Sequence, residues 1–126
     1  MSSMGYGVTA AGVRVPLRVN AAGELVVEGD GSEYETVAAS QTAQVLGAAG
    51  AAGDYLAGLL VIPATTSPGN VLLLDNATSI TVFTGGASSV PSLIPFFIPI
   101  GAKSVSGAWK VTTGANVSVI GVGTFT

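Results

Sequence analysis

Asn70-Val71-Leu72-Leu73-Leu74-Asp75-Asn76-Ala77-Thr78-Ser79-Ile80-Thr81-Val82-Phe83 holds two short apolar runs, 70–74 and 79–83, parted by residues with turn chemistry. Each run has the length of a strand and neither has room for a useful helical period, while Asp75-Asn76-Ala77-Thr78 suits an Asx-type turn. The same alternation of apolar run and breaker continues in both directions. Further candidate strands are 42–46, 55–62, 92–98, 104–111 and 117–124, with breaks at 47–53, 63–69, 85–86, 101 and 113–116. Strands at this spacing predict an all-β chain, an antiparallel β-sandwich that is jelly-roll-like. Leu93-Ile94-Pro95-Phe96-Phe97-Ile98-Pro99-Ile100 is apolar on both faces, and its two prolines cannot donate to a ladder. An edge strand buried against a neighbouring subunit explains both facts, which puts Leu93, Ile94, Phe96, Phe97 and Ile98 at a subunit interface.

Before the sandwich the pattern changes. The first dozen residues, rich in Gly, Ser and Ala, show neither a helical nor a strand period and read as an arm. Val13, Val15, Leu17 and Val19 then alternate with Arg14, Pro16 and Arg18, the period of a strand with one apolar face, and Pro16 confines it to an edge or an isolated ribbon. Asn20-Ala21-Ala22-Gly23 has turn chemistry, so Glu24-Leu25-Val26-Val27-Glu28 is expected to return as the second arm of a hairpin. Gly29-Asp30-Gly31-Ser32-Glu33 reads as a hydrophilic linker. The expected organisation is an extended N-terminal arm with a hairpin over 1–35 and a sandwich over 36–126.

Charge is distributed unevenly. Of seven acidic and four basic residues, five acids (Glu24, Glu28, Asp30, Glu33, Glu35) crowd into one stretch, and beyond Thr36 only Asp54, Asp75, Lys103 and Lys110 carry charge. A soluble domain draws about a quarter of its residues from Asp, Glu, Lys and Arg, against 9% here, with a mean hydropathy of +0.65. Such a surface suits contact with protein. Runs without polar side chains, such as 45–53 and 56–64, are about half the roughly 20 residues of a spanning helix, so no membrane insertion is expected. Met1-Ser2-Ser3-Met4-Gly5-Tyr6-Gly7 lacks the basic and apolar regions of a secretory signal, and synthesis in a cytosol is the expectation. With no cysteine, no histidine and a net charge of −3, thiolate and imidazole chemistry are excluded and nucleic acid is an unfavourable partner.

Apparent motifs dissolve under the same scrutiny. Gly5-Tyr6-Gly7-Val8-Thr9-Ala10 has the letters of a dinucleotide fingerprint without the flanking strand and helix that would give it function. Asp54 and Asp75 read as turn residues, the acidic run as solvated chain, and no Ser-x-x-Lys spacing accompanies Lys103 or Lys110, so no catalytic, metal or cofactor residue is expected. Asn76-Ala77-Thr78 and Asn116-Val117-Ser118 fit the glycosylation pattern by chance. Trp109 reads as core filling, with stacking on a sugar ring as the alternative. Arg14 and Arg18 share one face of an edge strand, where they have two uses: pairing with carboxylates of a docking partner, or with Glu24 and Glu28 across their own hairpin.

The segment Val15-Pro16-Leu17-Arg18-Val19-Asn20-Ala21-Ala22-Gly23-Glu24-Leu25-Val26-Val27 resembles a short N-terminal segment of small virion proteins of tailed bacteriophages. The tract from Gly53-Asp54-Tyr55-Leu56-Ala57-Gly58-Leu59-Leu60-Val61-Ile62-Pro63-Ala64-Thr65 through Gly107-Ala108-Trp109-Lys110-Val111-Thr112-Thr113-Gly114-Ala115-Asn116 resembles the β-rich module of the same proteins, variously decoration, cement or head-fibre proteins. The resemblance implies a β-sandwich without enzymatic activity that forms a homotrimer, is made in the host cytoplasm and resides on the capsid surface of the virion. Joined to the residue reading, it predicts a decoration protein whose arm docks on the major capsid protein or another virion protein through Arg14, Pro16 and Arg18 and staples neighbouring capsomers. The alternative is a tail or head-fibre module that binds host-surface glycan through Trp109, Tyr55 or Tyr34.

Overall fold

The computed structural model describes residues 32–126 and, before them, only the backbone of Tyr6–Val8 and Arg14–Pro16. Contacts divide the chain into Met1–Gly31 and Ser32–Thr126. In the first unit, β1 (Tyr6–Val8) pairs antiparallel with β2 (Arg14–Pro16), Tyr6 opposite Pro16 and Val8 opposite Arg14. Sequence periodicity gave Tyr6–Val8 no strand character, and the return strand expected at 24–28 lies outside the described residues.

The second unit carries eight strands among its described residues: β3 (Glu33–Val37), β4 (Gln44–Val45), β5 (Tyr55–Pro63), β6 (Val71–Asp75), β7 (Thr78–Phe83), β8 (Phe96–Lys103), β9 (Trp109–Thr113) and β10 (Val117–Thr124). They form two antiparallel four-stranded sheets, one ordered β3-β10-β5-β8 and the other β4-β9-β6-β7. Four of the pairings are nested in sequence: β6 with β7, β5 with β8, β4 with β9, β3 with β10. That is one long antiparallel ribbon, and rolling it adds the β5·β10 and β6·β9 contacts. The result is the two-sheet jelly roll. Among the described residues no helix is long and apolar enough to cross a membrane.

Inward positions on both sheets close a single core. Leu56, Leu59 and Val61 of β5 and Val117 and Val119 of β10 face Val71 and Leu73 of β6 and Trp109 and Val111 of β9, all buried, with Leu46 and Val37 completing the cluster. Each such side chain contributes about 1.5–3 kcal/mol by leaving water. Trp109 is core, as its strand context indicated, and its indole N–H donates to the Asp54 carbonyl at 2.8 Å.

The strand expected at 42–46 is confined to Gln44–Val45, and three other boundaries shift for local reasons. The strand expected at 92–98 is β8, Phe96–Lys103, which runs straight through the break placed at Gly101. Gly101 adopts a φ of +66° at an extra residue of β8, between the Gly58–Pro99 and Leu56–Ala102 pairs, so the glycine absorbs a bulge within the strand. The strand expected at 104–111 starts only at Trp109, since 104–108 is a loop. Glu33, read as linker, opens β3, which spans the change in charge pattern at 35–36 and pairs with β10 from Glu33 to Val37.

The ladders sort the loops to two ends. At one stand Ser32, loop 46–54, turn 76–77, loop 104–108 and Thr126, joined by Phe125 N–H to Glu33 Oε1 at 2.7 Å and Gly53 N–H to the Ser104 carbonyl at 2.8 Å. At the other stand loops 38–43, 64–70, 84–95 and 114–116, joined by Ala64 N–H to the Asn116 carbonyl and Gly86 N–H to the Pro68 carbonyl. Leu93 and Ile94 therefore lie at the end away from Ser32.

Candidate interaction surface

The outward positions of the β3-β10-β5-β8 sheet are set by register. Thr36, Ile120, Leu60 and Phe97 form one row; Tyr34, Val122, Gly58 and Pro99 form the next; Ser118 and Ile62 continue it toward the 84–95 loop. These rows contain no charged side chain. Thr124, Tyr55 and Lys103 close the face at the other end. Tyr34 is 72% exposed and Phe97 49%. A Cβ added at Gly58 would collide with the Phe97 ring and the Ile98 carbonyl, so the ring lies down across the glycine backbone and the face stays flat. The outward face of the opposite sheet differs: Val45, Lys110, Leu74 and Ser79 make one row and Thr112, Leu72 and Thr81 another.

Of the residues assigned to a subunit interface by sequence, the structure separates two groups. Phe96 and Ile98 turn inward and pack against the core, Phe96 with its ring centroid 5.3 Å from that of Phe83. Leu93, Ile94 and Phe97 are exposed. Arg14 and Pro16 lie on β2 of the first unit, and Arg18 lies outside the described residues. Leu60, Ile62, Ile120 and Val122 were not singled out, and Tyr34 only for stacking on glycan, although Tyr55–Pro63 is apolar at outward and inward positions alike, which is the sequence mark of a strand covered on both faces.

The two body carboxylates hold loops together. Asp54, 6% exposed, accepts hydrogen bonds from Ala51 N–H at 3.0 Å, Thr126 N–H at 3.1 Å and the Thr126 hydroxyl at 3.0 Å. Burial pushes its carboxyl up, and the hydrogen bonds from Thr126 and Ala51 outweigh that, leaving it below the ordinary value of 3.8. Asp75 accepts from Val105 N–H at 2.9 Å and Ser106 N–H at 3.0 Å. The Val105 bond is the chief cause that its carboxyl also lies below the ordinary value. Its carboxylate thus bridges from β6 to the 104–108 loop, where sequence placed it in its own Asx turn; Asn76, at a φ of +56°, takes the turn conformation instead. With Trp109 buried, stacking on a sugar falls away for that residue; Tyr34 and Tyr55 remain at the surface. Among the described residues no group of three or more acidic, His or Cys side chains is placed to hold a metal ion.

Comparison with protein-family models, with curated proteins and with solved structures finds no match for this chain.

Proposed function

We propose that this chain is a structural subunit that decorates a phage capsid from outside, with the N-terminal unit docking on the shell through Arg14, Pro16 and Arg18 and the jelly roll associating with copies of itself as a trimer. The observation that carries the reading is the jelly roll's surface: Tyr34, Ile80, Leu93, Ile94, Phe97 and Val105 are exposed on a body with few charges. A lone soluble domain draws about a quarter of its residues from charged types, and a body with so few presents neutral and apolar groups that suit contact with protein in a larger assembly. The carboxylates of Asp54 and Asp75 are occupied by backbone donors, which supports a scaffold over a catalyst. The division at Gly31 and Ser32 supports separate docking and body units, and many symmetric copies give avidity to a weak individual contact.

Co-sedimentation with purified capsids stripped of this chain tests the proposal. The full chain is expected to pellet with capsids, and Arg14→Glu with Arg18→Glu is expected to stay in the supernatant with unchanged Trp109 fluorescence. A full chain that never pellets with capsids refutes shell binding, and a doubly reversed chain that still pellets refutes the arginine docking.

A further inference from the structure

We infer that the free edge of β7, Thr78–Phe83, is a strand-addition site for an extended polypeptide segment of a partner, apolar at every second residue and uncharged over the paired stretch. The site does not depend on shell docking through Arg14 and Arg18, and it gives the jelly roll a contact of its own.

Three observations carry it. β7 ends its sheet, pairing with β6 alone, and among the described residues its other edge meets no strand. Alternate residues there turn a backbone N–H and C=O outward, groups that another extended backbone matches residue for residue, as sugar and lipid do not. Second, this edge is unguarded. Thr78-Ser79-Ile80-Thr81-Val82-Phe83 has no charge, no proline and no glycine, whereas lysine, proline and bulges are the usual protection of an edge. β8 ends the other sheet on the same side, where the Phe83 and Phe96 ring centroids lie 5.3 Å apart. It carries that protection, with Pro99 in the strand and a bulge at Gly101. Third, the wall beside β7 is incomplete. Ile80 stands opposite Leu73 and so on the same inward side of the sheet, yet it is 47% exposed where Leu73 is 2%. Ile98 and Ile100 of β8 also turn inward and are only partly buried.

Register sets the chemistry of the added strand. Phe83 and Phe96 meet at one end of the seam between the two sheets, and from there β7 runs back through Ile80 while β8 runs forward through Ile98 and Ile100. A strand added about 4.8 Å beyond β7 turns alternate side chains inward beside Ile80, toward the half-covered isoleucines of β8, so these are apolar. The side chains between them fall on the outer face beside Ser79 and Thr81, where small hydroxyl or β-branched residues pair best. A charge in either row would find no opposite charge on β7. Val82 is the extra residue between the Leu72–Thr81 and Val71–Phe83 pairs, and such a bulge interrupts a ladder, so the regular pairing runs over Thr78–Thr81. A ladder that short binds weakly by itself, which suits a partner also held by other contacts of an assembly.

Hydrogen exchange of the full chain tests the site, measured with and without a synthetic peptide of alternating valine and threonine flanked by lysines. The same peptide with a central proline is the comparison, since proline removes a ladder donor. Ile80→Lys is the perturbing variant and Val105→Lys, at another exposed apolar side chain, the control. The expected result is slowed exchange confined to Thr78–Phe83 when the alternating peptide is added to the unaltered chain or to Val105→Lys. The proline peptide is expected to slow nothing, and Ile80→Lys is expected to lose the effect while keeping the fluorescence of buried Trp109. If Ile80→Lys unfolds, the two peptides on the unaltered chain decide. No slowing at Thr78–Phe83 overturns the inference, as does equal slowing by the proline peptide or in folded Ile80→Lys. Slowing along β3 or β8 in place of β7 also overturns it. So does slow exchange of the outward β7 amides before any peptide is added, because that edge is then already paired.

Discussion

Replacing Asp54 by alanine removes the carboxylate that holds loop 46–54 to the end of β10, and its cost follows from the contacts it makes. Three donors, Ala51 N–H, Thr126 N–H and the Thr126 hydroxyl, converge on it. Hydrogen bonds to an ionised group contribute about 1.5 kcal/mol each at the low end of their range, about 4.5 kcal/mol together. Holding a polar group away from water offsets about 1.5 kcal/mol of that, leaving about 3 kcal/mol. Urea unfolding followed by Trp109 fluorescence reads the loss, since the indole bonds to the Asp54 carbonyl rather than to the carboxylate and survives the substitution. With an m-value of about 1.2 kcal/mol/M, the midpoint falls by about 2.5 M. The effect depends on pH in a fixed direction. Because the folded carboxyl lies below its ordinary 3.8, the stability it gives by ionising is complete above that value and is lost as pH falls through the folded value. The gap between the unaltered chain and Asp54→Ala is therefore widest near neutrality and narrows below about pH 4. A variant within about 0.5 kcal/mol of the unaltered chain at pH 7 would refute the reasoning, because a change that small is typical of surface sites without such bonds.

Gly58→Ala is expected to destabilise by about 1–3 kcal/mol, since the new methyl meets both the Phe97 ring and the Ile98 carbonyl. Adding Phe97→Ala is expected to restore only part of the loss in thermal melts, because the carbonyl stays in place. Asp75→Ala is expected to speed hydrogen exchange at Val105 and Ser106 N–H while leaving exchange along β5 unchanged. In the unaltered chain that protection is expected to persist above the ordinary carboxyl value and to weaken as pH falls through the lowered one. Equal protection of those amides with and without Asp75 would remove its assigned role.

What the sequence revealed and what it withheld follow from the range of the interactions. The strand expected at 117–124 coincides with β10, and that at 55–62 stops one residue short of the end of β5, because a strand period is a local property. Gly101 misled because a glycine that ends a strand and one that absorbs a bulge inside it look alike until the partner strand supplies the register. β3 was hidden by its acids: Glu35 is spared open solvent only because Gly47 N–H and the Gln44 amide donate to it, contacts made across the fold. The interface candidates were half legible for the same reason. Leu93 to Ile100 announced an excess of apolar surface, but only pairing with β5 decided that Phe96 and Ile98 go to the core and Phe97 to the surface. Leu60 and Ile120 were invisible as a pair, since β5 and β10 become neighbours only when the ribbon rolls.

The nested pairing of the strands also orders events during synthesis. β6 and β7 close over a two-residue turn and are free to form as soon as both have left the ribosome, whereas β3 waits for β10, the last strand of the roll, before it gains any partner. Chains made from the N-terminus forward cannot hurry that step. Until β10 is inserted, Tyr34 lies on an unpaired strand and Leu60 on a strand joined only to β8. The charge-free outer face of the β3-β10-β5-β8 sheet is thus complete only on a finished body, and until then the open edges of β3 and β5 stand exposed to neighbouring chains in a crowded polysome.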